Sequence, residues 1–356
     1  MKGSGMAVYV NPFIKVTQRV FPAQGRYGKL RYDMNENPEG LPVEFVDSVL
    51  REVTPEFLSI YPEPDRFLCK YADFIGVKKD NLVCTNGSDQ AIRYLMETFG
   101  EVGKEVVTVA PSFEMYWVNC CILGYRHVPV PYGEDLSIRI ESILAAINED
   151  TRIVVLLNPN NPVGNVYSQE EFQLVQKRAE EVGAVVVVDE AYHYFYEKTF
   201  LKEALESPNV VVLRTFSKLM SLAACRLGVV IGNEALVRYV RNARLTFDVN
   251  SFALLFAERL MDRPDIIDEL IRVQREGKDF ILRELERLGY WCKDCTGNFI
   301  FIKTKESAQV VARRLEAQGV LVHPYGNPLL KDFIRVTTGS IASMKLFLDV
   351  FLQTDK

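Results

Sequence analysis

Four short strings in this 356-residue chain carry side chains that could act together. Thr215-Phe216-Ser217-Lys218 follows the apolar run at 210–213. A lysine at the end of a buried strand loses hydration, deprotonates more easily and becomes a nucleophile towards carbonyls. The hydroxyls of Thr215 and Ser217, with Arg226 further on, form a group able to hold a phosphate. Asp189-Glu190-Ala191-Tyr192 follows 185–188 and puts a carboxylate at another strand end, where it can keep a heteroaromatic nitrogen protonated. Asn158-Pro159-Asn160-Asn161-Pro162-Val163-Gly164 makes a tight loop after 153–157, and Asn161 in it can donate a hydrogen bond to an anionic oxygen. Asn86-Gly87-Ser88-Asp89-Gln90 opens a helix whose free N–H groups favour a phosphate. Each string also has a plainer use alone: a surface lysine, an acid that caps a turn, a turn without chemical duty, an N-cap at Ser88 or Asp89.

The elements that must position these strings are legible from periodicity. Short Val/Ile-rich runs at 106–109, 153–157, 185–188, 210–213 and 228–231 predict strands covered on both faces. Helical patterns lie between them, at 89–99, 114–123, 138–147 and 169–182. Such alternation predicts an α/β fold with a mostly parallel central sheet and helices on both faces. In open sheets of this kind ligands bind at the carboxyl ends of the strands, where three of the four strings fall, the Asn86 string opening a helix. A helix is predicted at 43–53 and another up to residue 75 with Asp65 as its N-cap. After residue 233 the pattern changes to helices at 235–245 and 266–288, strands at 298–303, 321–323 and 334–337, and a closing helix at 344–352. The expected organisation is an arm at 1–40 joining a smaller α+β domain at 236–356, with a large domain at 41–235 between them.

Composition narrows the function classes. A net charge of −5 with interspersed charges argues against nucleic acid as a partner, because duplex binding needs clustered Lys and Arg. No stretch approaches the roughly 20 apolar residues that span a bilayer, and the first ten residues lack the pattern of a signal peptide. The seven cysteines show no framework spacing. Cys292-Lys293-Asp294-Cys295 has no second pair or nearby histidine to complete a zinc site, so no metal is expected and the cysteines read as reduced ones of a cytoplasmic protein. No G-x-G-x-x-G follows the first strand, which disfavours a nicotinamide dehydrogenase.

Taken in order and spacing, the four strings resemble those of fold-type I pyridoxal-phosphate aminotransferases, in particular the histidinol-phosphate aminotransferase branch. The resemblance runs from Asn35-Glu36-Asn37-Pro38 to Arg335-Val336-Thr337-Thr338-Gly339. It implies pyridoxal 5'-phosphate as cofactor, with Lys218 as the Schiff-base lysine and general base. It further implies that Asp189 pairs with the pyridine nitrogen, Asn161 and Tyr192 contact the ring oxygen, and Phe113 stacks on the ring. The phosphate falls to Gly87, Ser88, Asp89, Thr215, Ser217 and Arg226. Tyr61 reaches the neighbouring subunit's cofactor, so a homodimer with shared sites is implied. Arg335 grips the substrate's α-carboxylate as a bidentate fork, with Asn37 and His323 beside the substrate. The implied reaction moves an amino group from a small donor, histidinol phosphate or a related phosphorylated or aromatic amine, to a 2-oxo acid. A decarboxylase of the same fold, similar to threonine-phosphate decarboxylase, is the alternative. The substrate end departs from the pattern. His323 stands where the family typically has arginine, and Phe21-Pro22-Ala23 stands where a tyrosine typically follows the proline. A protonated His323, or Arg19, Arg26 and Arg31 in the arm, could offer an anion contact instead.

Overall fold

The computed structural model describes residues 8–17 and 24–356. Its strands are β1 (Leu30–Arg31), β2 (Leu82–Thr85), β3 (Glu105–Ala110), β4 (Arg126–Pro131), β5 (Thr151–Leu157), β6 (Val185–Asp189), β7 (Val210–Thr215), β8 (Gly228–Gly232), β9 (Cys292–Asp294), β10 (Phe299–Lys303), β11 (Val320–Leu321), β12 (His323–Pro324) and β13 (Phe333–Thr337). Seven of them form the central sheet in the order β2-β8-β7-β6-β5-β3-β4. All neighbours are parallel except those of β8, which runs antiparallel to both β7 and β2.

Alternation along the strands builds two cores. Val154, Leu156, Val186, Val188, Val210 and Val212 face one layer. Ile153, Val155, Leu157, Val185, Val187, Val211 and Leu213 face the other. A strand whose odd and even residues are both apolar must be covered on both faces, which is why these runs lack polar alternation. A smaller domain packs a four-stranded antiparallel sheet, β12-β13-β10-β9, around Ile300, Ile302, Ile334, Val336 and Phe347. The arm joins it through β1, parallel to β11, which seats Tyr32 in that core. The helices Glu234–Ala243 and Ser251–Met261 bury residues in the two cores of the large sheet, so the division expected at residue 235 falls inside that packing.

Several expectations are adjusted. β2 and β4 were not read as strands; β2 is only four residues long, and β4 carries Pro129 and Pro131, which an edge strand tolerates. Asp65 is the first residue of its helix and pairs with Lys79, while Pro64 holds the cap position. Neither Ser88 nor Asp89 caps its helix: the helix begins at Gly87, with Asn86 before it. The run expected at 321–323 divides into β11 and β12, which pair with different strands. Among the described residues no helix is long and apolar enough to cross a membrane, and no His/Cys/Asp/Glu group could hold a metal.

One buried ion pair ties the ends of β6 and β7. Arg214 donates from Nε and Nη2 to Glu190 Oε2 at 3.0 and 2.9 Å. Thr199 and the Phe200 N–H donate to the same carboxylate. Removing one partner of such a pair leaves an uncompensated buried charge. Glu190→Gln should therefore cost about 3–5 kcal/mol, read as a fall in the urea midpoint; an unchanged midpoint would show that the pair contributes nothing.

Candidate active site

The site lies at the carboxyl ends of β5, β6 and β7. The register pairs Leu157 with Asp189 and Asp189 with Leu213, so the loops that follow these strands leave the sheet side by side. Because β8 is antiparallel, its amino end reaches the same edge and delivers Arg226 there. The helix Gly87–Phe99 points its first turn at this edge. One cavity is lined by Ser88, Asp89, Phe113, Asn161, Asp189, Tyr192, Thr215, Ser217, Lys218 and Arg226. A wider one on the arm side shares Ser217, Lys218 and Arg226 and is walled by Arg31, Met34 and Glu36.

Lys218 separates the two cavities. Its Nζ donates to the Met34 carbonyl at 2.9 Å and lies 5.8 Å from the Tyr192 ring centre. Loss of hydration, then the charge of Arg335, lowers its ammonium from 10.5 to about 8, against the opposing pull of Glu36 and Asp89. Asp189 is buried; its Oδ2 accepts from the Tyr116 hydroxyl at 2.9 Å and its Oδ1 from the Ala191 N–H at 3.1 Å. Burial pushes the carboxyl up to about 6, against the effect of those two donors. The site thus holds an amine that is easily made neutral and a carboxylate in want of a cationic partner.

The corner at Gly87 is shaped for an anion. Gly87 has φ +77°, and a Cβ there would stand 2.5 Å from Arg226 Nη2. A Cβ at Gly228 would stand 2.8 Å from the Ser88 nitrogen. Both glycines therefore keep a guanidinium and the free first-turn N–H groups close together, an arrangement that suits a phosphate. Thr215 Oγ1 accepts from the Ser217 N–H at 3.2 Å, and Ser217 Oγ accepts from Arg226 Nη1 at 3.5 Å. Asp89, expected among the anion ligands, carries its carboxylate on Arg226 at 3.1 Å; a carboxylate cannot itself receive an anion, so only its backbone N–H suits that role.

Tyr192 and Asn161 meet the arm and the smaller domain. Asn35, at φ +56°, donates from Nδ2 to the Tyr192 oxygen at 2.9 Å, and its backbone N–H donates to Thr337 Oγ1. Burial pushes the Tyr192 phenol up to about 12. Arg335 is buried and donates to Asn161 Oδ1 and to the Asp33 carbonyl, each at 2.5 Å. Asn35, Met34 and Tyr116 were not expected in the site. Asn35 and Met34 belong to the arm, whose turn formers hide a long-range contact. Tyr116 lies in the helix Met115–Leu123, so apolar throughout that its one phenol is not marked out.

Other expected residues stand elsewhere. His323 pairs in register with Arg335 but lines neither cavity around Lys218. Loss of hydration and then the Arg335 charge lower its imidazole to about 4, so it is neutral at neutral pH and is no cationic anion contact. Asn37 reaches the outer cavity, yet its amide is held by Ser221 and Gln274 at 2.8 and 2.9 Å. Tyr61 is 70% exposed, stacked on Phe247, and outside both cavities of its own chain. Arg26 and Arg31 both line the outer cavity, where Arg26 is paired with Asp33 and Glu36. Arg19, Phe21, Pro22 and Ala23 lie outside the described residues.

The family model for aminotransferase class I and II matches residues 32–351. A protein of Clostridium novyi named histidinol-phosphate aminotransferase is 33% identical over 326 residues, covering 90% of each chain. One of the same name from Thermotoga maritima is 30% identical over 337 residues, covering 93% of this chain and 95% of the relative. The solved histidinol-phosphate aminotransferase of Sinorhizobium meliloti, in complex with pyridoxal-5'-phosphate, superposes with a TM-score of 0.85 at 22% identity over 98% of this chain and all of the other; at that identity the likeness speaks for the fold.

Gly87→Ala and Arg226→Gln should each weaken inorganic phosphate binding in calorimetry by roughly 10- to 100-fold, the loss of about 1.5–3 kcal/mol expected of a hydrogen bond to a charged group. Unchanged binding would remove this corner as the anion site.

Proposed function

The chain belongs to the class I and II aminotransferase family, and from that premise we propose that it is a pyridoxal-phosphate transaminase. We assign it histidinol phosphate, or a closely similar phosphorylated amine, as donor and a 2-oxo acid as acceptor. The observation that carries the reading is the meeting of Lys218 and Asp189 in one cavity whose far corner suits a phosphate. The relatives' shared name supports the donor.

Bound pyridoxal phosphate supplies an electron-poor ring that accepts the electron pair released at the donor's Cα. The protein does the rest. Lys218 attaches the cofactor through Nζ, and its lowered ammonium makes the free amine available near neutral pH. With its amine free, Lys218 would be the general base that takes the donor's Cα proton and hands it back. Asp189 holds a proton on the ring nitrogen, and that cationic partner relieves the cost of its own burial. Asn161 and Tyr192 would contact the ring oxygen and Phe113 the ring itself. Thr215, Ser217, Arg226 and the N–H groups of Gly87, Ser88 and Asp89 would hold the phosphate. Arg335, with Asn161 held against it, would fix the carboxylate of the 2-oxo acid. In a homodimer the exposed Tyr61 of each subunit completes the other's site; its stacking on Phe247 holds the ring ready for that contact.

Mixing with histidinol phosphate should convert the cofactor's visible band to that of the aminated form and release a 2-oxo product. Histidinol phosphate has no carboxyl group, so the decarboxylase reading is tested with a phosphorylated amino acid: carbon dioxide release from it without a 2-oxo product would assign a decarboxylase. Lys218→Ala should lose at least about 1,000-fold in turnover, in line with removal of a general base. Cofactor uptake requires the neutral amine. Since Lys218 titrates at about 8, the uptake rate should rise from pH 6 and level above pH 8; a rate still rising at pH 10 would contradict the desolvated lysine.

A further inference from the structure

Asp189 cannot by itself decide where a proton shared with a ring nitrogen resides. That depends on how well the carboxylate form is stabilised, and the groups facing it are few. From the helix Gly87–Phe99 comes the charge of Asp89, which disfavours ionisation; from the loop after β7 comes Lys218, which favours it. Tyr192 follows in the loop after β6, its phenol bonded by Asn35 rather than by Asp189. The Ala191 N–H holds Oδ1. The remaining contact is Tyr116, whose hydroxyl donates to Oδ2 at 2.9 Å with both residues buried.

We propose that the Tyr116 hydroxyl sets the position of the proton between Asp189 and the cofactor's ring nitrogen, which makes Tyr116 a positioning residue for the reaction. This rests on the cofactor reading of the site. A donor on Oδ2 stabilises the carboxylate, weakens it as a base and leaves the proton on the ring. The phenol is suited to be a permanent donor. Burial, and then the neighbouring charge of Asp189, holds its own ionisation far above the working range. The same segment carries Phe113 and, through Ser112, accepts from Asn160 Nδ2 at 3.2 Å, so the donor is anchored to the loop that follows β5.

The test is a pH titration of the loaded protein's visible absorbance, which follows the proton on the Lys218 nitrogen. A less positive ring holds that proton more tightly. Tyr116→Phe should therefore bind the cofactor, melt close to wild type and shift the transition upward by about 0.5–1 pH unit. Site-specific 3-fluorotyrosine at position 116 keeps the shape and strengthens the donor, and should shift the transition downward. It also serves where the phenylalanine variant does not fold. Opposite shifts would not arise from packing alone. A protein that takes up no cofactor overturns the reading of the site and this assignment with it. One that takes it up but titrates like wild type in both variants overturns only the role of Tyr116.

Discussion

The placing of Asp189 beside Thr215, Ser217 and Lys218 depends on the register between β6 and β7, and the Glu190–Arg214 pair pins it. Side chains along a strand alternate between faces, so a slip of one residue would exchange the two cores. Asp189 and Glu190 are consecutive and face opposite ways. Asp189 looks into the cavity, while Glu190 points into the opposite layer and meets Arg214. Arg214 in turn stands beside Thr215, which turns back towards the cavity. Slippage would separate two charges that are 7% and 0% exposed, an outcome far more costly than a mismatched pair of valines. An interaction on the side away from the chemistry thus holds the carboxylate and the phosphate hydroxyls in place.

Within that frame, desolvation acts on both central groups in opposite senses. It disfavours charge on Lys218 and on Asp189 alike, lowering one and raising the other towards neutrality. An amine eased towards its neutral form suits attack on a carbonyl. A carboxylate lacking a full counterion suits a ring that can carry a proton. Neither condition would survive on an open surface, and the arm contributes to the closure by placing Met34 against Lys218 and Asn35 against Tyr192.

Much of this was legible beforehand because strand ends announce themselves. Lys218, Asp189 and Asn161 each follow a Val/Leu-rich run, and the sheet brings them to one edge as alternation implied. The antiparallel direction of β8 was not legible, since a short buried strand looks the same in either direction. The contacts of Asn35 and Met34 join residues about 160 to 300 positions apart, and no local pattern encodes such a meeting. Tyr116 was hidden by its apolar neighbours, since its function is visible only through its partner. The charge of His323 was not legible either, because it is set by burial and then by Arg335, opposite it on the adjacent strand.

The central claim is that Lys218 is the residue to which the cofactor is joined. The direct measurement is borohydride reduction of the loaded protein, followed by proteolysis and mass spectrometry of the modified peptide. The account predicts a single stable adduct, on the Nζ of Lys218. An adduct on another lysine, or none in protein that retains its visible band, would contradict it.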